Sequence, residues 1–345
     1  MDLPTEDGAA PSSWAAGSWR RHRRTFWILH SLWALAWGVV VLWLAHERYG
    51  FVPWVVGFLA LTWVSTLFFS RPDRAADARD PSARFRQGVA SYLTRVMYQE
   101  TLFFLLPFYW YSTVYPSWNV AFPLVLAALA VLACLDLVFD RWLRESAVFG
   151  LVFFVSVAFA GLNLLLPMVL SMGPEVATPM AAVVAVASAV PIAVRGQVTS
   201  LAARVKAGAA AVMLLAVAIR APQFVPPVPL RLEAATFARD LDRTTLETSG
   251  DLSGSAEAST LPGGLVVVVS VFAPSNVPAS VVLDWYHDGR LVRGSRNIDI
   301  VAHGGGFRLW EALRPGQGVL APGDYRIVLR TADRRVFGTA QIELR

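Results

Sequence analysis

The chain contains a series of long apolar runs separated by short polar segments, and this pattern constrains its fold more than any other feature. Crossing the hydrocarbon of a bilayer takes roughly 20 apolar residues. Backbone polar groups inside lipid must be satisfied within the segment, so runs of this kind form helices. We predict seven spans, at residues 25–45, 51–70, 96–115, 119–140, 147–170, 175–194 and 207–221.

The composition supports a membrane location and excludes several classes of function. Hydrophobic residues make up 55% of the chain and charged residues only 16%, against roughly 25% charged residues in a soluble domain. The single cysteine, Cys134, excludes an internal disulfide. No zinc-ligand spacing, nucleophile motif or glycine-rich phosphate loop occurs, so we expect no catalytic residue, metal or cofactor.

The positive charge indicates an orientation rather than a nucleic-acid partner. With the N-terminus inside, the predicted inner segments hold fifteen Arg and Lys residues and the outer segments only Arg48 and Arg231. Cytoplasmic loops carry such an excess. Seven helices would then place the C-terminus outside, whereas six or eight would place it inside. No basic patch in the tail indicates nucleic-acid binding.

The tail after the last apolar run predicts a β domain. Residues 265–273 are rich in β-branched side chains. Residues 280–294 form two alternating arms around Asp288-Gly289, which predicts a hairpin with a type I′ turn. A second hairpin is predicted at 324–344. The predicted fold is an α-helical membrane bundle followed by a small all-β sandwich. Its predicted domains are a disordered basic tail (1–24), a transmembrane helical domain (25–221), a proline-rich exit and polar linker (222–262) and an extracytoplasmic β domain (263–345).

Several sequence stretches resemble one family of proteins. They are "YQETLFFLLPFYWYSTVYPS" at 98–117, "LDLVFDRWL" at 135–143, "LNLLLP" at 162–167, and in the tail "HDG" near Trp285, "RLW", "PGDYRIVL" and "FGTAQIEL". Together they resemble an uncharacterised family of bacterial multi-pass inner-membrane proteins that end in a small extracytoplasmic β domain of unknown function. The resemblance implies a location in the bacterial inner membrane, an N-terminus in the cytoplasm and a periplasmic C-terminal domain, but no activity.

Polar residues within the predicted spans form the first candidate site. Glu100 is predicted to lie about one turn into the third span, at a depth similar to that of Asp136 in the antiparallel fourth span. Asp140 would follow one turn from Asp136 on the same face. Charged residues at membrane depth are costly and often functional. The alternatives are a proton or ion relay and a structural clamp paired with arginines. Asn163 in the fifth span favours a hydrogen bond between helices.

Aromatic and basic residues form two further candidates. Tyr109, Trp110, Tyr111 and Tyr115 are interpreted as an interfacial aromatic belt, with a pocket for a sugar or lipid head group as the alternative. In the β domain, Trp285 and Trp310 are interpreted either as sandwich core or, with Arg293 and Arg308, as a binding surface.

These features favour an integral membrane protein that is not an enzyme. The predicted role is envelope sensing, scaffolding or partner binding through the outward β domain. The alternative is a small transporter or lipid-handling protein that uses Glu100 and Asp136. The predicted partners are the lipid bilayer and an envelope protein or lipid. The oligomeric state is left open.

Overall fold

In a computed structural model, a unit of helices is followed by a unit of β strands. The structure describes residues 29, 32, 33, 35–40, 57, 61, 81–193, 200–273, 277, 279–300, 307–316 and 318–345. Its helices are α1 (Pro81–Tyr111), α2 (Ala121–Cys134), α3 (Asp136–Glu145), α4 (Ala147–Leu170), α5 (Pro174–Ile192) and α6 (Leu201–Arg220). Its strands are β1 (Arg231–Leu241), β2 (Thr248–Leu252), β3 (Ser255–Ala256), β4 (Leu265–Phe272), β5 (Ala279–His287), β6 (Arg290–Gly294), β7 (Ile298–Ile300), β8 (Phe307–Leu313), β9 (Gly323–Thr331) and β10 (Val336–Leu344).

The helices pack as hairpins whose ends are fixed by local side chains. Helix α1 packs along α2, α4 packs along α5, and α6 contacts both α4 and α5. The hydroxyl of Ser146 accepts a hydrogen bond from the Phe149 N–H at 3.1 Å and so caps the start of α4. At the other end of α4, Ser171 adopts a left-handed conformation with φ 51°, which reverses the chain into α5. The short reversal makes α4 and α5 antiparallel neighbours.

Fewer helices meet the criteria for a membrane span than the sequence predicts. In the described part of the chain, three helical segments are long and apolar enough to cross a bilayer: Val148–Leu170, Pro174–Pro191 and Leu201–Arg220. Of the predicted spans 25–45 and 51–70, the structure describes only residues 29, 32, 33 and 35–40 of the first and 57 and 61 of the second. Helix α1 begins well before the predicted span at 96–115 and carries charged residues in its first half. The count of seven spans is therefore not supported by the structure.

The predicted fourth span, 119–140, is interrupted rather than continuous. Helix α2 ends at Cys134, and Leu135 leaves the helical conformation with ψ 73° before α3 begins. The apolar sequence ends at this point, and α3 places charged residues among apolar ones, so it cannot continue through hydrocarbon. Asp136 and Asp140 consequently belong to a separate short helix. The prediction of one continuous helix over 119–140 was wrong, and the depth of Asp136 stays a prediction.

The strands form a two-sheet sandwich, as the alternating pattern predicts. One sheet has the order β2-β1-β4-β8, and the other has the order β3-β10-β9-β5-β6 with β7 also paired to β5. Side chains from both sheets share one buried cluster, in which the rings of Phe237 and Trp285 lie 6.1 Å apart. The predicted turn at Asp288-Gly289 is confirmed, because both residues have positive φ, 47° and 79°, as a type I′ turn requires.

The sandwich begins earlier in the chain than the sequence suggests. Strands β1, β2 and β3 lie within residues 222–262, the segment predicted to be an exit and linker. Strand β1 pairs with β4 over most of its length, so it belongs to the sheet. Because β1 buries only Phe237 and Ala238 fully, its sequence lacks the apolar alternation that would have marked it as a strand.

Candidate functional site

The tip of the β9–β10 hairpin inserts a charged side chain into the helical unit. Arg335, between the two strands, has no solvent exposure. Its Nη1 donates a hydrogen bond to the Thr178 hydroxyl of α5 at 2.8 Å. A buried cation is costly unless it is paired and hydrogen-bonded. The contact therefore ties the β sandwich to the helices at one defined point.

Thr178 begins a chain of buried hydrogen bonds that crosses three helices. Its hydroxyl has two acceptors within hydrogen-bond distance, Asn163 Oδ1 at 2.7 Å and the Pro174 carbonyl at 2.9 Å, and the shorter contact is to Asn163. Asn163 Nδ2 donates to the Tyr109 hydroxyl at 3.0 Å, and that hydroxyl donates to the Ala160 carbonyl at 2.8 Å. Every donor points away from Arg335, so each bond polarises the next in the same sense. We call Arg335, Thr178, Asn163 and Tyr109 the junction network.

The junction network is shielded from solvent and reaches into the helical unit. None of its four side chains exposes more than 2% of its surface. Asn163 lies seven residues before the end of α4, which corresponds to roughly 10 Å along the helix axis. Water cannot replace a lost partner easily at such a site, so breaking one bond leaves buried polar groups unsatisfied.

Asp333 supplies the negative charge that balances Arg335. Its Oδ2 lies 2.8 Å from Arg335 Nη2. The contact is an ion pair rather than a hydrogen bond, because Nη2 has no hydrogen-bond partner among the described residues. Asp333 also accepts a hydrogen bond from the Thr331 hydroxyl. Asp333 retains 21% side-chain exposure, so the pair has one buried and one partly hydrated member.

Two further contacts join the sandwich to the same ends of the helices. The buried Asn119, just before α2, donates from Nδ2 to the Val336 carbonyl at 2.8 Å. The guanidinium of Arg231, at the start of β1, lies 5.7 Å from the centre of the Tyr111 ring. Together with Thr178, these residues place the sandwich against the end of α1 and the starts of α2 and α5.

Among the predicted intramembrane acids, the structure describes the side-chain surroundings of Glu100 only, so their grouping into one site stays a prediction. Glu100 is partly buried in α1 and accepts a hydrogen bond from the Trp37 indole of the first apolar run. Gly38 lets that run approach α1 closely, because a Cβ there would lie 2.3 Å from the Phe103 ring. The side chains of Asp136 and Asp140 are outside the described residues. Of the four predicted polar residues, only Asn163 belongs to the junction network.

The predicted aromatic belt separates into exposed and buried members. Trp110 and Tyr115 are exposed, in agreement with an interfacial position. Tyr109 is fully buried and bonded to Asn163, so its interpretation as a belt residue was wrong. The helical period explains the difference, because neighbouring residues on a helix point about 100° apart and only one of them faces the bundle.

A basic cleft lies along the edge strand β8 of the sandwich. Its volume is about 730 Å³, and it is lined by the predicted residues Arg293, Arg308 and Trp310 together with Arg243, Glu311 and Arg314. Trp285, predicted with this group, is instead fully buried in the sandwich core. It points inward because it alternates with the partly exposed Tyr286 on β5.

A second cleft lies within the helical unit and is almost entirely apolar. It has a volume of about 610 Å³ and is bordered by α2, α4, α5 and α6. Small side chains of α6, among them Ala207 and Gly208, line one wall, and Arg204 lies at its edge. Among the described residues, no group of three or more His, Cys, Asp or Glu side chains could hold a metal ion.

Sequence reasoning missed Arg335 and Thr178. Arg335 follows another arginine in a hairpin turn, where charged residues are usually exposed. Thr178 lies one turn into α5 and resembles any small helix-packing residue. The one available signal was Asn163, a polar residue within a predicted span.

The chain thus combines an apolar helical unit, in which three described helices could cross a membrane, with a β sandwich joined to it through a buried polar junction. A family profile described as a family of unknown function, DUF5924, matches residues 12–265. The chain belongs to that family. The match includes all the described helices and ends at the first residue of β4. A search of curated proteins returned no match.

Proposed function

We propose that the protein is an integral membrane sensor or scaffold whose β sandwich binds a partner and is mechanically coupled to the helices. The observation that carries this proposal is Arg335, a fully buried cation that belongs to the sandwich but is bonded to a helix. A domain that served only as a passive cap would not require a buried charge at its contact with the helices. If the sandwich separated from the helices, Arg335 would become hydrated and would lose its partner Thr178. The junction is therefore a candidate element with two states, one docked and one separated.

The residues at the two ends of the helical unit support one orientation of the protein in the membrane. The sandwich contacts Tyr111, Asn119 and Thr178, which lie at one end of the helical unit. Arginines in the first half of α1, in α3 and in the first turns of α6 lie toward the other end. The excess of positive charge marks the cytoplasmic side. We therefore propose that the sandwich lies outside the bacterial inner membrane, reached by an odd number of crossings from a cytoplasmic N-terminus.

Reporter fusions test the orientation. A reporter that is active only in the periplasm, fused after Arg345, is expected to be active, and a cytoplasmic reporter at the same position is expected to be silent. The reverse pattern would show an even number of crossings and would overturn the proposed location of the sandwich.

A genetic comparison tests the proposed role. Four versions of the full-length gene would be introduced into a deletion strain: wild type, Arg335→Met, Arg334→Met and Glu100→Gln. Arg334 is the exposed neighbour of Arg335 and serves as the matched control. We expect Arg335→Met to reproduce the deletion phenotype at normal protein level, while the other two variants complement it.

The outcome with Glu100 separates the two functional classes. If Glu100→Gln abolishes function while Arg335→Met complements, the protein acts through its membrane segments and the sensing proposal is wrong. That result would favour the transporter alternative.

A lipid-handling role is the second candidate, and the apolar cleft favours it. A Cβ at Gly208 meets no atom within 4 Å, so Gly208→Leu adds a side chain to the cleft without a clash at its first atom. Ala209 is exposed on the same helix and is not among the lining residues, so Ala209→Leu is the control. Native mass spectrometry should show lipid retained by the wild type and Ala209→Leu but lost from Gly208→Leu. Equal retention by all three proteins would exclude the cleft as a lipid site.

A further inference from the structure

The basic cleft on the sandwich concentrates positive charge in a concave surface. Among the described strands, β8 pairs with β4 alone and forms the edge of its sheet, and the cleft lies along this edge. Arg243, Arg308 and Arg314 are exposed residues that line it. Like charges held in a concavity raise the local potential and attract anions.

One acid in the cleft is committed to a structural contact. Glu311 on β8 pairs with Arg293 of β6 at 3.0 Å. Arg293 also donates from Nη1 to the Ala312 carbonyl at 3.1 Å. This link joins the edges of the two sheets and neutralises Arg293. It does not reduce the charge of the other three arginines, which have no ion pair among the described residues.

The acid next to Arg243 is also directed elsewhere. Asp242 Oδ1 accepts a hydrogen bond from the Thr244 N–H at 2.7 Å. Backbone hydrogen bonds from Thr244 and Thr245 hold the pKa of Asp242 below its ordinary value. Its carboxylate therefore closes the turn after β1. Arg243 lies over the Trp310 ring, with its guanidinium carbon 5.2 Å from the ring centre, and this stacking orients it.

We propose that the cleft binds a polyanion that carries at least two phosphate or carboxylate groups. Arg308 and Arg314 contact the anionic groups directly, and Trp310 positions Arg243 as a third contact. The guanidinium group forms paired hydrogen bonds to either kind of anion, and the volume of about 730 Å³ falls within the range of ligand pockets. The inference rests on the proposed function, because it names the ligand class for the sandwich as binding module.

Calorimetric titration of the full chain in detergent tests this site. The probes are tripolyphosphate, trigalacturonate and, as a neutral control, galactotriose. We expect one or both of the charged probes to bind, with an affinity that falls as salt is added, and galactotriose to give no signal. Binding of tripolyphosphate alone assigns the site to phosphate groups, and binding of trigalacturonate alone assigns it to carboxylates.

Variants locate the binding in the cleft. The double variant Arg308→Gln/Arg314→Gln should weaken binding by about tenfold or more, because each charge-assisted hydrogen bond contributes strongly to affinity. Arg290→Gln, an exposed arginine outside the lining, is the control and should bind normally. Glu311→Gln removes the one acid from the lining and should tighten binding.

Two results would overturn the proposal. One is the absence of binding by either charged probe, and the other is an equal loss in the Arg290 control and the double variant. Failure here is distinguishable from failure of the proposed function, because the Arg335→Met comparison does not involve the cleft.

Discussion

The hydrogen bond between Arg335 and Thr178 predicts a measurable coupling between the two units of the protein. Arg335→Met keeps the aliphatic stem but removes the charge, which leaves Asp333 without its partner. Removing one partner of a buried ion pair lowers the stability by about 3–5 kcal/mol. Because Asp333 is 21% exposed and water can reach it, we expect the lower end, about 3 kcal/mol.

Thr178→Val removes the other side of the bond at nearly constant volume. The Thr178 hydroxyl accepts from Arg335 and donates to Asn163, so its loss leaves two buried groups unsatisfied. The expected cost is about 1–3 kcal/mol. A double-mutant cycle should give an interaction energy of about 1.5–3 kcal/mol, the usual value for a hydrogen bond to a charged group.

Hydrogen exchange of the full chain measures these free energies, because a buried amide exchanges only when the structure around it opens. The informative peptides contain the hairpin tip, 331–336, and the first turns of α5, 174–180. A cost of about 3 kcal/mol corresponds to exchange about 100-fold faster in both peptides. Arg334→Met, at the exposed neighbour, should change exchange by less than about threefold.

Independent effects of the two substitutions would show that Arg335 and Thr178 are not coupled. An interaction energy below about 0.5 kcal/mol is the additivity expected of sites that do not interact. It would mean that the sandwich is held by Asn119 and the apolar contacts, and that Arg335 does not couple the units.

Three further changes test other parts of the structure. Asn163→Leu should destabilise the helical unit by about 1–3 kcal/mol, because the Tyr109 hydroxyl loses the donor from Asn163 and the Thr178 hydroxyl loses Asn163 as an acceptor. Faster hydrogen exchange in α4 and α5 would show this loss. Trp285→Ala should cost about 3–5 kcal/mol, since the ring is fully buried; resistance of the sandwich to proteolysis in the full chain would contradict this. Asp242→Asn should lower stability near neutral pH. The lowered pKa of Asp242 means that its contribution is present above the ordinary value of about 3.9 and is lost as pH falls through the folded value, so the difference between variant and wild type in urea titrations should disappear in acid.

The local features of the fold could be predicted because they depend on neighbouring residues. The segment 147–170 was predicted from its apolar length and coincides with α4. The hairpin at Asp288-Gly289 was predicted because few other residue pairs adopt positive φ at both positions. Strand β1 was missed because its sequence does not alternate, and the break at Leu135 was missed because an apolar count does not register a single non-helical residue.

The candidate sites were predictable only in part. Arg293, Arg308 and Trp310 were grouped from the sequence, and they do line one cleft. Arg243 and Arg314 were not included, because the first comes from a turn far away in the sequence and the second follows the end of β8. Glu100 and Asp136 were expected to lie together on the assumption of one continuous fourth helix, and that assumption was wrong.

By itself, the sequence determined that this protein has apolar helices followed by a β domain, because hydrophobic periodicity and turn residues act over a few positions. Only the tertiary structure decided which polar groups meet. Arg335 and Thr178 are 157 residues apart, and Tyr109 and Asn163 are 54 apart. A buried hydrogen bond has no local pattern, since its two partners are brought together by the packing of whole elements. For that reason the junction between the helices and the sandwich became visible only in the folded chain.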